Sequence, residues 1–225
     1  SLVVDIGSND GSLLKFFQSA GHRVLGIDPA MDVARRANEA GIPTIASLMS
    51  PEVAQTIRNE HGPASVVCAF NVFAHADDLG AMAASIKIML APDGVFFFEA
   101  QYLLDIVDGV LIATIFHEHV SHHSVKPLVR FLDLHGLELI AVDRAKIQHG
   151  SIIGTVQLKG AGRPVENSVR EILALEKERH LDHLETMENF ARRVEALREQ
   201  TIALVCRWKE EGHTIAAFGA ARSGP

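Results

Sequence analysis

Two stretches of this chain bring together residues whose types and spacing suit chemistry. One is Asp5-Ile6-Gly7-Ser8-Asn9-Asp10-Gly11 near the start, and the other is His117-Glu118-His119-Val120-Ser121-His122-His123 at mid-chain. In the first, an apolar run ends in an acid, breaks at two glycines and passes into Leu13-Leu14-Lys15-Phe16-Phe17, which has helical spacing. That is the pattern of strand, tight turn and helix. Glycine lets the backbone approach a ligand closely, and a helix N-terminus offers unpaired N–H groups to a polar or anionic cofactor. The next apolar run, Arg23 to Ile27, ends in Asp28, where an acid is placed to hydrogen-bond ribose hydroxyls. Together they read as an adenosine-binding half-site.

A dinucleotide site asks for G-x-G-x-x-G to cradle a pyrophosphate, and the spacing here is different. Asp10 beside the turn repels a pyrophosphate but suits an ammonium group, and Asp5 is placed to order the same loop. A cofactor with a nucleoside at one end and a cationic amino acid at the other fits better than NAD. S-adenosyl-L-methionine is such a molecule. A nucleotide fold carrying a different ligand is the competing reading.

The histidine-rich stretch admits three readings. A polar loop whose histidines only bond their neighbours is the plainest. A metal site is suggested by His117, His119 and His122, but Ser121 stands where the metallo-hydrolase patterns want Asp or His, so no metal is expected. Acid–base chemistry on a carbonyl compound is the third: a Glu beside a His orients a base and tunes it. Methyl transfer to carbon from a sulfonium needs an enolate, so a base must take a proton α to a carbonyl.

The elements that must position these residues alternate strand and helix. After Asp28 a helix runs over 32–39, a short strand over 44–47, a helix over 51–60 and an apolar strand over 65–70 that leads to Asn71 and His75. A helix over 79–90 stops at Ala91-Pro92-Asp93-Gly94, and the strand Val95 to Glu99 follows. This is a parallel α/β sheet with ligands at the carboxyl ends of its strands, where Asp5, Asp28, Asn71 and Glu99 all fall. A helix over 103–111 borders the pocket, and another covers 124–135. Two antiparallel strands, Leu137 to Asp143 and Ser151 to Leu158, flank a linker containing His149. A parallel sheet finished by an antiparallel pair matches the class I methyltransferase (Rossmann-like) plan.

From Val165 the chain turns charged and amphipathic, with apolar residues three and four apart, as in a packed helical hairpin or a subunit contact; a homo-oligomer through these helices is compatible with this. Its charges read as a solvated face. Thr214 to Phe218 followed by Gly219 reads as the first strand and turn of a second Rossmann-like unit. The expected domains are therefore 1–160 for cofactor binding, 161–212 as helical hairpin or linker, and 213–225 as the start of a truncated C-terminal domain.

Composition narrows the partners. The net charge of −7 and the lack of a basic patch argue against nucleic acid, and the apolar runs are too short and interrupted to cross a bilayer. Two cysteines far apart, without C-x-x-C spacing, indicate neither a disulfide framework nor a cysteine zinc site. No signal peptide is recognised, and the chain opens inside one strand and closes after another. A cytoplasmic enzyme fragment acting on a small molecule is the expectation.

Four ordered blocks carry a family resemblance: Asp5 to Gly11, Asn71-Val72-Phe73-Ala74-His75, Phe116-His117-Glu118-His119 and His149-Gly150-Ser151. The chain resembles the sugar C-methyltransferases, which methylate C3 of nucleotide-linked 4-keto-6-deoxy sugars in deoxysugar biosynthesis. The resemblance implies His119 as the base at C3 with Glu118 as its partner, and His117 and His149 as further candidates. It implies cofactor contacts from Asp5, Gly7, Ser8, Asn9, Gly11 and Asp28, with Asn71 and His75 bordering cofactor and substrate. The family usually has tyrosine where Phe116 stands, and carries an N-terminal zinc module and a complete C-terminal domain that this sequence lacks. A small-molecule O-methyltransferase and a non-catalytic S-adenosylmethionine-binding module are the alternatives.

Overall fold

A computed structural model describes residues 1–146 and 150–216. The chain begins β1 (Leu2–Ile6), α1 (Ser12–Ser19), β2 (Arg23–Ile27), α2 (Met31–Glu39), β3 (Thr44–Ile45), α3 (Pro51–His61) and β4 (Ala64–Phe70). A 3-10 turn (Phe73–His75), α4 (Leu79–Met89), β5 (Leu90–Gln101), α5 (Leu103–Gly109) and a second 3-10 turn (Ile112–Thr114) follow. Then come α6 (Val125–Leu134), β6 (Leu137–Ala145), β7 (Ser151–Leu158), α7 (Asn167–Glu178) and α8 (Leu184–Glu210).

The strands form one sheet in the order β3-β2-β1-β4-β5-β7-β6. The first five pair in parallel, and β7 runs antiparallel to both its neighbours. Chain direction across the sheet reverses between β1 and β4, which opens a crevice at their carboxyl ends. Both faces of β1 are buried, which is why it reads as an unbroken apolar run up to Asp5. Val4, Leu25, Val67, Phe96 and Phe98 pack with Ile57, Ile86 and Leu128 on one face; Val3 and Val24 pack with Leu14 and Ile42 on the other. The Phe73 ring stacks on Phe98 at 5.1 Å and so ties the turn after β4 to the core.

Residues 91–94, which read as a helix stop, lie inside β5. Ala64 pairs with Leu90 and Val66 with Val95, so the Pro92-Asp93-Gly94 segment swells out as a bulge. Proline has no N–H to give to a ladder, and a bulge is where a strand tolerates it.

In the amphipathic region, α7 buries Val169 and Ile172 against the sheet domain, packing on β6 and α6. No residue of α8 is buried; the helix touches α5, where Arg193 donates to the carbonyls of Val107 at 2.9 Å and Asp108 at 2.7 Å. Those are orphan carbonyls at a helix C-terminus, where a cation is favoured. Glu176 departs from the expected solvated face. It is buried, and its two oxygens accept the N–H groups of Val125 at 2.6 Å and Lys126 at 3.0 Å, capping α6 from another helix. Thr214 to Ala216 carry no regular structure, and the rest of the predicted final strand and glycine turn lies outside the described residues. None of the described helices is long and apolar enough to cross a membrane.

Candidate active site

The glycine turn after β1 is shaped by backbone geometry that side chains resist. Gly7 and Gly11 have φ of 75° and 76°, and Asn9 follows suit at 50°. A Cβ on Gly7 would stand 2.7 Å from Val72 Cγ2, so the loop lies against the end of β4 with no room for a side chain. The N–H groups of Gly7 and Ser8 both reach the Ile27 carbonyl, at 2.7 and 3.2 Å. Asp28 completes the brace: one oxygen accepts the Asn9 N–H at 2.9 Å and the other the Ala30 N–H at 2.9 Å. The acid predicted for ribose thus also fixes the turn beside which a ribose would sit.

The result is a cavity of about 530 Å³ lined by Asp5, Gly7, Ser8, Asn9, Asp10, Ser12, Leu13 and Phe70. Asp5 is buried at its floor, and burial, with the Asp28 charge as second cause, pushes its carboxyl up to about 7. Such an acid invites a cationic or hydrogen-bond-donating ligand. Ser8 is buried with its Oγ turned onto Gly26, where a Cβ would stand 2.3 Å from it, and unpartnered among the described residues. Asp10 is exposed and turned to its own helix, accepting from Ser12 N–H at 3.0 Å and Ser12 O–H at 2.6 Å, which holds its carboxyl below the usual range. The glycine cradle and the buried acid fit a nucleoside–amino acid cofactor.

At the end of β4, Asn71 adopts φ 58° and donates its N–H to the Glu99 carbonyl at 3.1 Å. Its amide Nδ2 reaches Glu99 Oε2 at 3.3 Å. The histidine stretch folds over the adjacent 3-10 turn, with Val120 N–H on the Ala74 carbonyl at 2.7 Å. This brings His75 and His119 together, ring centroids 4.9 Å apart. Nδ1 of His75 meets the Glu118 carbonyl at 2.8 Å, and Nδ1 of His119 meets the Thr114 carbonyl at 2.6 Å. A carbonyl only accepts, so each Nδ1 carries a hydrogen and each ring is fixed with Nε2 turned away from that contact.

Phe116 packs against His119 at 4.3 Å, and His122 closes the cluster from the other side at 6.0 Å. His122 is held below its ordinary value by burial and then by His119, and its Nδ1 is buried and unpartnered among the described residues. His117 is exposed and touches Phe116 edge-on. Glu118 offers its main-chain carbonyl to His75. His149 lies outside the described residues. Among those described, no group of three or more His, Cys, Asp or Glu side chains is arranged to hold a metal ion.

Sequence reading placed Asp5, Gly7, Ser8, Asn9, Gly11 and Asp28 at one turn, and the structure assembles them there, with Ile42 packed behind Gly11. It also brings Asn71, His75, Glu118 and His119 into one neighbourhood. Thr114 contributes through its main-chain carbonyl, which leaves no mark on the sequence. A larger groove of about 1380 Å³ lies between α6 and α7, lined by Leu103, Pro127, Leu173 and Leu181 among others, and contains none of the predicted site residues.

A seven-stranded Rossmann-like sheet of this order, with a nucleoside-sized crevice at its switch point, defines the class I S-adenosylmethionine-dependent methyltransferases. Comparison with known proteins agrees: residues 1–142 match the family described as a methyltransferase domain, and the chain belongs to that family. Its cofactor is accordingly S-adenosyl-L-methionine. Residues 146–225 match the family described as a C-methyltransferase C-terminal domain. C-methyltransferase NovU of Streptomyces niveus is 37% identical over 223 residues, which is 99% of this chain and 53% of that protein. This chain therefore spans about half the length of that relative. A S-adenosylmethionine-dependent methyltransferase from Anabaena variabilis shares the fold with a TM-score of 0.55 at 16% identity, over 69% of this chain and 76% of that one. Magnesium protoporphyrin IX methyltransferase from Synechocystis with bound SAH does so with 0.52 at 17%, over 69% and 73%.

Proposed function

We propose that this chain is the catalytic core of a C-methyltransferase acting on the carbon next to the carbonyl of a nucleotide-linked 4-keto-6-deoxy sugar. The observation that carries the reading is the tautomer of His119. With Nδ1–H committed to the Thr114 carbonyl, the ring is held in one orientation and Nε2 is the nitrogen left to act as the base. The cofactor supplies an activated methyl group on a sulfonium centre.

His119 Nε2 would take the proton α to the ketone, leaving an enolate as the carbon nucleophile for the methyl group that a bound cofactor would supply, with S-adenosylhomocysteine as the leaving group. His75, oriented by the Glu118 carbonyl, packs beside His119 and orders the base. Phe116 packs on the His119 ring and limits its movement. Asp5, Ser8 and the Asp28-braced turn hold the cofactor. NovU, with C-methyltransferase in its name, supports transfer to carbon.

The test is solvent exchange. In D2O with S-adenosylhomocysteine bound, the wild type should exchange the sugar C3 proton, and His119→Ala should not. Equal exchange by both would remove His119 from the chemistry.

A further inference from the structure

The segment that carries His119 has little burial of its own. From Asp108 to His122 no residue is fully buried, while Val107 before it and His123 after it are. Such a segment is placed by its hydrogen bonds and by its two ends. One end rests on the 3-10 turn after β4, where Ala74 accepts the Val120 N–H. The other is the C-terminus of α5. Val110, which caps that helix, has φ 50° and ψ 48°, a left-handed conformation that a β-branched residue resists. Backbone of this kind persists only where its surroundings fix it.

From the cap a series of short-range bonds leads to the base. Leu111 donates its N–H back to the Ile106 carbonyl at 3.1 Å, which ties the turn to the helix end. The Leu111 carbonyl accepts the Thr114 hydroxyl at 2.7 Å, and the Thr114 carbonyl accepts Nδ1–H of His119 at 2.6 Å. At the start of this series the carbonyls of Val107 and Asp108 take the two arms of the Arg193 guanidinium, Nη1 at 2.9 Å and Nη2 at 2.7 Å. The Asp108 carboxylate meets Arg179 at 2.6 Å. A planar fork that fills two carbonyls at once fixes direction as well as distance, which a single ammonium does not. Arg193 belongs to the region matched as a C-methyltransferase C-terminal domain, and the segment it holds belongs to the region matched as a methyltransferase domain. Met187 and Phe190, earlier on α8, pack against the core, so the helix has attachments besides Arg193.

We propose that Arg193 is a positioning residue for His119: by holding the end of α5 it sets the Val110 turn and, through Thr114, the orientation of the base ring. What this means for turnover rests on the function proposed above. Arg193 does not line the cofactor cavity, so cofactor affinity should not register its loss.

The experiment compares wild type with Arg193→Met, Arg193→Lys and, as a control, Arg198→Met in the full-length protein. Arg198 lies on the same helix and pairs with Glu195. Nitrogen-15 NMR of the His119 ring, at a pH where the ring is neutral, reads which nitrogen carries the hydrogen. Steady-state kinetics with the nucleotide keto-sugar and calorimetry with S-adenosylhomocysteine follow on the same samples. Wild type and Arg198→Met should show His119 protonated at Nδ1 alone. Arg193→Met should show the Nε2-protonated form as well, with kcat lowered about 10-fold. KM and S-adenosylhomocysteine affinity should stay within about twofold, unlike the response to general loss of folding. Arg193→Lys keeps the charge without the fork and should fall between. Unchanged His119 ring signals in Arg193→Met, or a loss of cofactor affinity as large as the loss of kcat, would overturn the assignment. A wild type that turns over no keto-sugar would instead sink the functional reading beneath it, and the ring signals would still decide the role of Arg193.

Discussion

His75 and His119 stand 4.9 Å apart, and each commits its Nδ1 proton to a main-chain carbonyl, that of Glu118 for the first and Thr114 for the second. Two imidazole rings are so fixed side by side, from elements more than forty residues apart in sequence. Main-chain carbonyls hold the tautomer whatever the side chains around them do. The pair is thereby ready before any substrate arrives.

If His119 is the base, His119→Ala should lower kcat by about 10²- to 10⁴-fold, the usual worth of a positioned general base. S-adenosylhomocysteine affinity should be unchanged, because the cofactor cavity is lined by other residues. Steady-state kinetics with calorimetry on the same preparation reads both. A parallel loss of cofactor affinity would assign His119 to binding.

Asp28→Ala should weaken S-adenosylhomocysteine binding about 10-fold or more. The substitution removes the acceptor for the Asn9 N–H as well as the acid proposed to meet the ribose. Calorimetric titration, with NAD as the control ligand, checks this; wild type should bind no NAD. An Asp28→Ala protein that binds as well as wild type would contradict the role given to the brace.

Asp5 makes both folding and cofactor binding depend on pH, in opposite directions. Its carboxyl sits at about 7 in the fold against 3.8 ordinarily, so the folded chain holds this proton more tightly than the unfolded one. The contribution of Asp5 to stability therefore falls as pH rises from about 4 through 7, and levels off above. Asp5→Asn should accordingly be more stable than wild type at pH 8, with the difference vanishing near pH 4, read by urea denaturation. Affinity for S-adenosylhomocysteine should climb through pH 7 in wild type and be weak and flat in Asp5→Asn. Parallel stability profiles would refute the raised carboxyl.

Glu176→Ala should cost about 2 kcal/mol of stability, because two N–H groups at the start of α6 lose their acceptor in a buried setting. Urea denaturation measures this. Glu176→Gln, which retains one acceptor oxygen, should lose less. A cost near zero for both would show that the cap adds nothing.

The strand ends and the glycine turn were legible because they depend on local rules. An unbroken apolar run, then Asp5, then Gly7 and Gly11, leaves few alternatives to a strand and ligand-facing turn. Asn71 and Glu99 were readable as ends of neighbouring strands, though nothing in the sequence announced their hydrogen bond. What escaped depends on contacts made across the chain. Thr114 acts through a carbonyl that every residue owns, and Glu176 looks like any surface acid until α7 packs on α6. Pro92 to Gly94 read as an ending, and only pairing with β4 reveals a bulge. His122 was one of four histidines in a loop, and its burial follows from how the loop folds over Ala74.

The most direct measurement is incubation of the protein with a nucleotide-linked 4-keto-6-deoxy sugar and S-adenosylmethionine labelled with carbon-13 in its methyl group, followed by NMR of the product. The account predicts a labelled methyl bonded to C3, showing one-bond carbon coupling when the sugar is labelled too. A labelled methyl on oxygen, or no transfer to any keto-sugar, would contradict it.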